Sequence, residues 1–477
     1  MKSIEGMQKE LYLAMMNRQT RQWRLCGMKM RIALLLLSCA SLMAADAVTF
    51  SRDVAPILYK RCAVCHHAND IAPMSLITYD DARPWAKAIR EAVLTRQMPP
   101  WHADPHYGEF ANDRRLSAAE METIKAWVDG GAEQGDPKDL PPAPQFADGW
   151  RIGKPDAVIP IPDNYVVKAN SPDAYLYFTV PTNFKEDTWV TAVELRPGNR
   201  RVVHHAHVFL KEPAKPDPAH EGPKAEKEKD NFTIEDGQVR HINPDMPVLD
   251  DGCSSVDGGN WPGRHPTETN TMLGSYLPGK DPDIFPEGYA RLIPAGSSLG
   301  FQIHYNSRSI KDDETDRTSV ALVFAKEPPK QRLRRVDISN YLFRIPAGDP
   351  NHEVTACYTF PKDAELMSYT AHMHLRGKDM KFEAVHTDGR RETLFSVPKY
   401  DFNWQTEYQL KQPVSIEQGT KIIITAHFDN SPNNKYNPDA SKTIRWGEPS
   451  TEEMMDGWFE YILPAPAEGK VAQAERQ

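Results

Sequence analysis

From about residue 155 onward, apolar and polar residues alternate in short runs closed by turn residues. "DAYLYFTV", "TWVTAVELRP", "RVVHHAHVFL", "LGFQIHYN", "SVALVFA", "HEVTACYTF" and "KIIITAHFDN" are such runs. A side-chain period of two marks a half-buried strand. The region is therefore expected to be all-β, built as antiparallel sandwiches or jelly rolls. It is too long for one small sandwich, and the Pro-containing "KEPPKQR" at 326–332 divides it into lobes 155–328 and 329–465, with a tail at 466–477. Within the first lobe, residues 211–270 lose the alternation. Their charged, Pro-rich "KEPAKPDPAHEGPKAEKEKDN" predicts a surface insertion.

Upstream, the spacing of apolar residues widens to that of helices. "SRDVAPILYKRC" and "DDARPWAKAIREAVLTRQ" predict two. A third opens at Ser117, with Glu120 three residues on as a capping box. Its apolar face is Met121, Ile124, Trp127 and Val128, and Gly130-Gly131 stops it. These elements define a small all-α domain, 48–140, followed by a Pro-rich linker, 141–154. The first helix ends in Cys62-Ala63-Val64-Cys65-His66, and C-x-x-C-H is the attachment sequence of a covalently bound c-type haem. Helices before and after such a motif resemble the cytochrome c fold. Cys62 and Cys65 would hold the porphyrin and His66 would reach the iron. Met98, in the Pro-rich "RQMPPW", is the expected sixth ligand. Met74 suits a core position better, and His67 is badly placed for the opposite haem face. A Met/His iron has a raised potential and suits electron transfer.

The N-terminal "MKMRIALLLLSCASLMAADA" has a basic start, an apolar run and then small residues, which predicts a secretory signal cleaved after Ala44. Residues 1–44 thus comprise an over-long start and a leader, and the mature protein is expected to be periplasmic or secreted. Cys39 offers a second reading, a lipid anchor. No later run is long and apolar enough to span a bilayer. In an oxidising compartment Cys253 and Cys357 could pair, although spacing alone leaves that open. The net charge of -9, with dispersed basic residues, excludes a nucleic-acid partner.

Histidines cluster within the β region. His204, His205 and His207 share one run, His304 follows, and His372 and His374 flank Met373. Met454 and Met455 stand in the polar "RWGEPSTEEMMDGW". Imidazole with a soft thioether favours copper, and the lack of an accompanying thiolate disfavours a blue-copper centre. On an ideal strand His372 and His374 point one way and Met373 the other. The same rule pairs His205 with His207 and opposes His204, unless a bulge intervenes. His427 reads as structural or as a neighbour of the ligands. His102, His106, His220, His241, His265, His352 and His386 read as surface or structural.

"VVHHAHVFL … FQIHY … AHMHLRG … STEEMM", in that order, resembles the copper type II ascorbate-dependent monooxygenases, over roughly residues 155–465. The resemblance implies two jelly-roll-like lobes with two copper ions facing each other across a solvent cleft. It assigns His204, His205 and His304 to the first copper, which stores an electron. It assigns His372, His374 and Met454 to the second, where O2 attacks a C–H bond of a small-molecule substrate. His207 is the alternative to His204, and Met455 to Met454. Gln302 matches a glutamine near the first copper. Relatives take electrons from ascorbate; here an ascorbate-like reductant or redox protein could act through the haem. The chain departs from the peptidylglycine enzymes at Thr370, Asp456 and Trp458, where they carry Arg, Asn and Tyr. This speaks against peptide amidation and for a neutral or cationic substrate, aromatic if Trp458 lines the pocket. The rival reading is a non-catalytic haem/copper electron-transfer or copper-binding protein.

Overall fold

The computed structural model describes residues 47–464 except 69–71, 147–148, 172–173, 213–231, 236–237, 243–252, 254–271, 278–279, 308–309 and 448. The leader with its cleavage point after Ala44, the anchor reading at Cys39, the 466–477 tail, His220, His265 and most of the 211–270 insertion lie outside the described residues.

The N-terminal region forms short helices. A π-turn, Phe50–Val54, runs into helix Ala55–Arg61. The second expected helix is divided into Tyr79–Ala82, a 3-10 turn Arg83–Trp85 and Ala86–Leu94. Pro84 explains the division, because it lacks the N–H that would continue the helical ladder. Helix Ala118–Asp129 starts at the expected capping box: Glu120 N donates to Ser117 Oγ at 3.1 Å, and Ser117 N donates back to Glu120 Oε2 at 2.7 Å. Its Ile124 and Trp127 pack with Phe50, Val54, Leu58 and Val93 as one apolar core. Residues 101–112 leave that core. Trp101 and Phe110 pack on Tyr408 in the second lobe, with ring centroids 5.0 and 5.5 Å away. Asp104 N and Ala111 N donate to Ser396 O and Gln409 O there. The helical region therefore lends a strap to the second lobe.

Beyond it the chain is β-rich. In the first lobe, strands Ala174–Pro181, Ser298–Tyr305, Val203–Lys211 and Met272–Tyr276 form one antiparallel sheet in that order. A second sheet is centred on Thr188–Arg196. Val203, Ala206, Val208, Leu210, Phe301 and Ile303 fill the core between them. The first lobe's sheet reaches past the expected boundary at 328, because Gln331–Arg332 pairs in parallel with Tyr289 and Ala290.

In the second lobe, strands Arg334–Ser339, Asp456–Ile462, Ala364–His372 and Glu407–Ile416 make one sheet in that order. Strands His352–Thr359, Lys421–Phe428, Gly377–Val385 and Arg391–Val397 make the other. Tyr369, Ala371, Phe382, Ile424, Met455 and Phe459 belong to its core. Both sheets of the first lobe contribute residues to the contact with the second. Arg291 of the first lobe makes a buried ion pair with Glu460 of the second. Arg335 Nη1 lies 3.5 Å from the Met272 sulfur. Cys253 and Cys357 are disulfide-bonded, with Cα atoms 5.2 Å apart, which joins the insertion to the second lobe. No helix among the described residues is long and apolar enough to cross a membrane.

Candidate metal centres

Strand Val203–Lys211 carries the first cluster. Its even positions from Ala206 onward enter the core, so His205 and His207 point outward toward the second lobe. His205 pairs with His304 on the neighbouring strand, but Tyr305 pairs with Val203. His204 is therefore the extra residue of a bulge, which turns it to the side of His205. His204 Nδ1 and His205 Nδ1 lie 3.1 Å apart, and His304 Nδ1 lies 3.4 Å from His205 Nδ1. Ligand atoms of these three all fall within 4.8 Å of one another. His207 stays close, its ring 5.3 Å from that of His205. Its Nδ1 is buried without a hydrogen-bond partner among the described residues. Tyr175 stacks on His304 at 4.2 Å and 10°. Gln302 Nε2 donates to Tyr177 Oη at 2.9 Å, on the strand beyond.

The second cluster stands at the end of strand Ala364–His372. The strand stops at His372, yet the alternation persists two residues farther: Met373 is fully buried, and the rings of His372 and His374 meet at 5.3 Å and 90°. His372 Nδ1 donates to Gln405 Oε1 at 3.0 Å, and His374 Nδ1 donates to Glu452 O at 3.2 Å. Both rings then carry their lone pair on Nε2, the orientation that a second partner imposes on a metal-binding imidazole. The turn between them and the methionines is held by Glu453, whose carboxyl accepts from His374 N at 2.8 Å and Arg376 N at 2.6 Å. Burial pushes Glu453 up to about 8.

Parity separates the two methionines. His372 lies opposite Asp456, and Thr370 opposite Trp458, so 456 and 458 share the face of His372. Met454 has their parity; Met455 is fully buried in the core. Trp458 stacks on His372 at 5.6 Å, with the Arg335 guanidinium 4.5 Å from its ring centre.

Burial keeps these imidazoles neutral. It holds His207 and His374 down to about 3 and His372 down to about 4, and it places His205 well below the ordinary histidine range. Neutral, convergent nitrogens are what a metal ion requires. No acid joins the first cluster. The donor set of buried imidazoles, with a thioether on the face of the second pair, fits copper.

An aromatic ring lies beside both clusters. Phe402 is 6.2 Å from His204 and 5.7 Å from His374, and His205, His304, His372 and His374 are all buried. Phe402, Gln405, Tyr175 and Glu453 were not legible as site residues, because each reaches the histidines by pairing or from a loop distant in sequence. His427, by contrast, binds Asp379 and Glu353 as a structural residue.

In the helical region, Cys62 and Cys65 take part in no disulfide, and burial pushes the Cys62 thiol up to about 12. His66 N donates to Cys62 O, closing the C-x-x-C-H turn, and His66 Nδ1 donates to Met74 O at 3.2 Å, which leaves the lone pair on Nε2. His67 is engaged elsewhere, stacked on Phe146 at 3.7 Å. Met98 follows helix Ala86–Leu94, with its N–H on Ala92 O. A shallow cleft beside Cys65 is walled by first-lobe residues including Arg200, Ser275 and Tyr276. Two thiols outside any disulfide and an imidazole with its Nε2 lone pair available are the donor set that a covalently held haem uses.

Residues 345–468 match the family model of the copper type II ascorbate-dependent monooxygenase, C-terminal domain. This supports the copper monooxygenase family for the chain, and the match covers the second lobe with its His372/His374 pair. No curated protein matches the chain. Among solved structures, that of infectious bursal disease virus Gx strain covers 65% of this chain and 82% of its own at 9% identity, but its TM-score of 0.14 carries no argument.

Proposed function

We propose that this chain is an exported copper-dependent monooxygenase that hydroxylates a C–H bond of a small organic substrate with O2, supplied with electrons by a c-type haem on its own helical region. The observation that carries the reading is the opposition of two buried histidine clusters from two lobes, the second on residues that match the copper monooxygenase domain. The reaction inserts one oxygen atom into the C–H bond. The other leaves as water, at the expense of two electrons and two protons from an ascorbate-like reductant or redox protein.

His204, His205 and His304 would hold one copper, and His372, His374 and Met454 the other. Copper, when bound there, supplies one-electron storage and O2 chemistry. The chain's own groups do the rest. Gln405 and Glu452 fix the tautomers of His372 and His374. Trp458 and Phe402 wall the second cluster with apolar surface, and Asp456 on the same face suits a neutral or cationic substrate better than an anionic one. Cys62 and Cys65 would attach the haem, with His66 and Met98 as axial ligands that favour electron transfer. Support for its role comes from Tyr276, which lines the cleft at Cys65 and pairs with Ala206, the neighbour of His205.

Metal analysis of the exported protein is expected to give two coppers and one haem per chain, a type 2 copper EPR signal, and substrate-dependent O2 uptake. One copper or none, with no uptake across a panel of C–H substrates, would leave the electron carrier. Met98→Ala should alter the haem potential and slow turnover while copper content stays constant.

A further inference from the structure

The loop of residues 398–406 connects strands Arg391–Val397 and Glu407–Ile416. It is pinned on both sides of Phe402. Tyr400 Oη donates to Met373 O at 2.7 Å and accepts from Met373 N at 3.1 Å, while Tyr400 N donates to Lys378 O. Asp401 Oδ1 accepts from Asn403 N at 3.0 Å, and Gln405 is buried on His372. Every anchor lies in the second lobe. The Phe402 ring extends to the first, lying 24° from the plane of His204 at 6.2 Å while standing edge-on to His374 at 5.7 Å. One ring thus touches both clusters. It is only half-buried and takes no part in the apolar core of its lobe, whereas His304, His372 and His374 are buried.

A partly exposed apolar ring over buried, polar nitrogens, outside the apolar core of its lobe, is not explained by core packing. The free energy of burying it is incomplete, and no apolar cluster gains from it. A ring so placed would keep water and small anions from the space beside the clusters, where a C–H substrate would have to enter. We propose that Phe402 is the gate of the site: it separates the two clusters, closes the second to solvent, and must be displaced before substrate can approach. This rests on the copper reading above. Tyr400 and Gln405 hold the loop while the ring rotates, so the histidines need not move.

The test uses the full-length, copper-loaded Cu(II) protein and azide, followed by its ligand-to-metal absorption and by EPR, with copper content measured in each sample. Phe402→Ala should bind azide at least about tenfold more tightly and faster than wild type. Phe402→Leu, which retains apolar bulk, should stay near wild type, and Phe402→Trp should bind azide more weakly. Equal azide affinity across the series, with two coppers in every sample, overturns the gate and leaves the proposed function intact. Wild-type protein that takes up no copper overturns both. Should Phe402→Ala fold poorly, the opposed shifts of the Leu and Trp variants decide.

Discussion

The Gln405 amide oxygen takes the Nδ1 proton of His372, and that bond determines which nitrogen a metal would meet. Removing such a partner typically weakens metal binding about 10- to 100-fold. Under the proposed function, Gln405→Leu should therefore loosen copper at His372 and His374 by that factor in a chelator competition, with no change at the His204, His205 and His304 cluster. Equal affinity would place the orientation of His372 elsewhere. The histidines themselves were legible from spacing alone. Their partners were not: Gln405 lies 33 residues from His372, and Tyr175 is brought to His304 only by strand pairing.

Strands convert residue order into faces. Along Asp456–Ile462 the alternation places Trp458 and Glu460 on the side of His372, and Gly457 and Phe459 in the core. Extended two residues back, it separates Met454 from Met455. Met455→Ala should destabilise the protein by about 2–5 kcal/mol in a denaturant titration, as loss of a buried methionine does. Met454→Ala should keep wild-type stability but lower affinity for the second copper; the reverse outcome would exchange their roles. Gly457 belongs to the same logic, since a Cβ there would come within 2.8 Å of the Phe382 ring. The strand runs and the Ser117 capping box could be read in advance because they are local. The bulge at His204 could not, since it arises where strand Val203–Lys211 meets strand Ser298–Tyr305.

The whole molecule aligns two faces that neither lobe specifies alone. The Arg291–Glu460 pair is buried at that interface, and burial lowers Arg291 to about 10 even with Asp283 and Glu407 nearby. Breaking a buried pair from one side costs about 3–5 kcal/mol, because the remaining charge is stranded. Glu460→Ala should lower the denaturant midpoint accordingly, and Arg291→Met combined with Glu460→Leu should recover most of the loss. If the single change is as stable as wild type, the lobes are held by other contacts, such as the Cys253–Cys357 bond and the 101–112 strap.

By itself the sequence determined the spacing of the histidines and methionines, the β texture of the lobes, the capped helix and the C-x-x-C-H turn. All of these depend on residues a few positions apart, where periods of two and 3.6 act directly. Tertiary structure decided that a bulge brings His204 to His205 and His304, and that the Phe402 ring lies beside both clusters. Those relations are set by strand register, a bulge and a loop that crosses between lobes, and their energies come from contacts between segments that chain order leaves far apart.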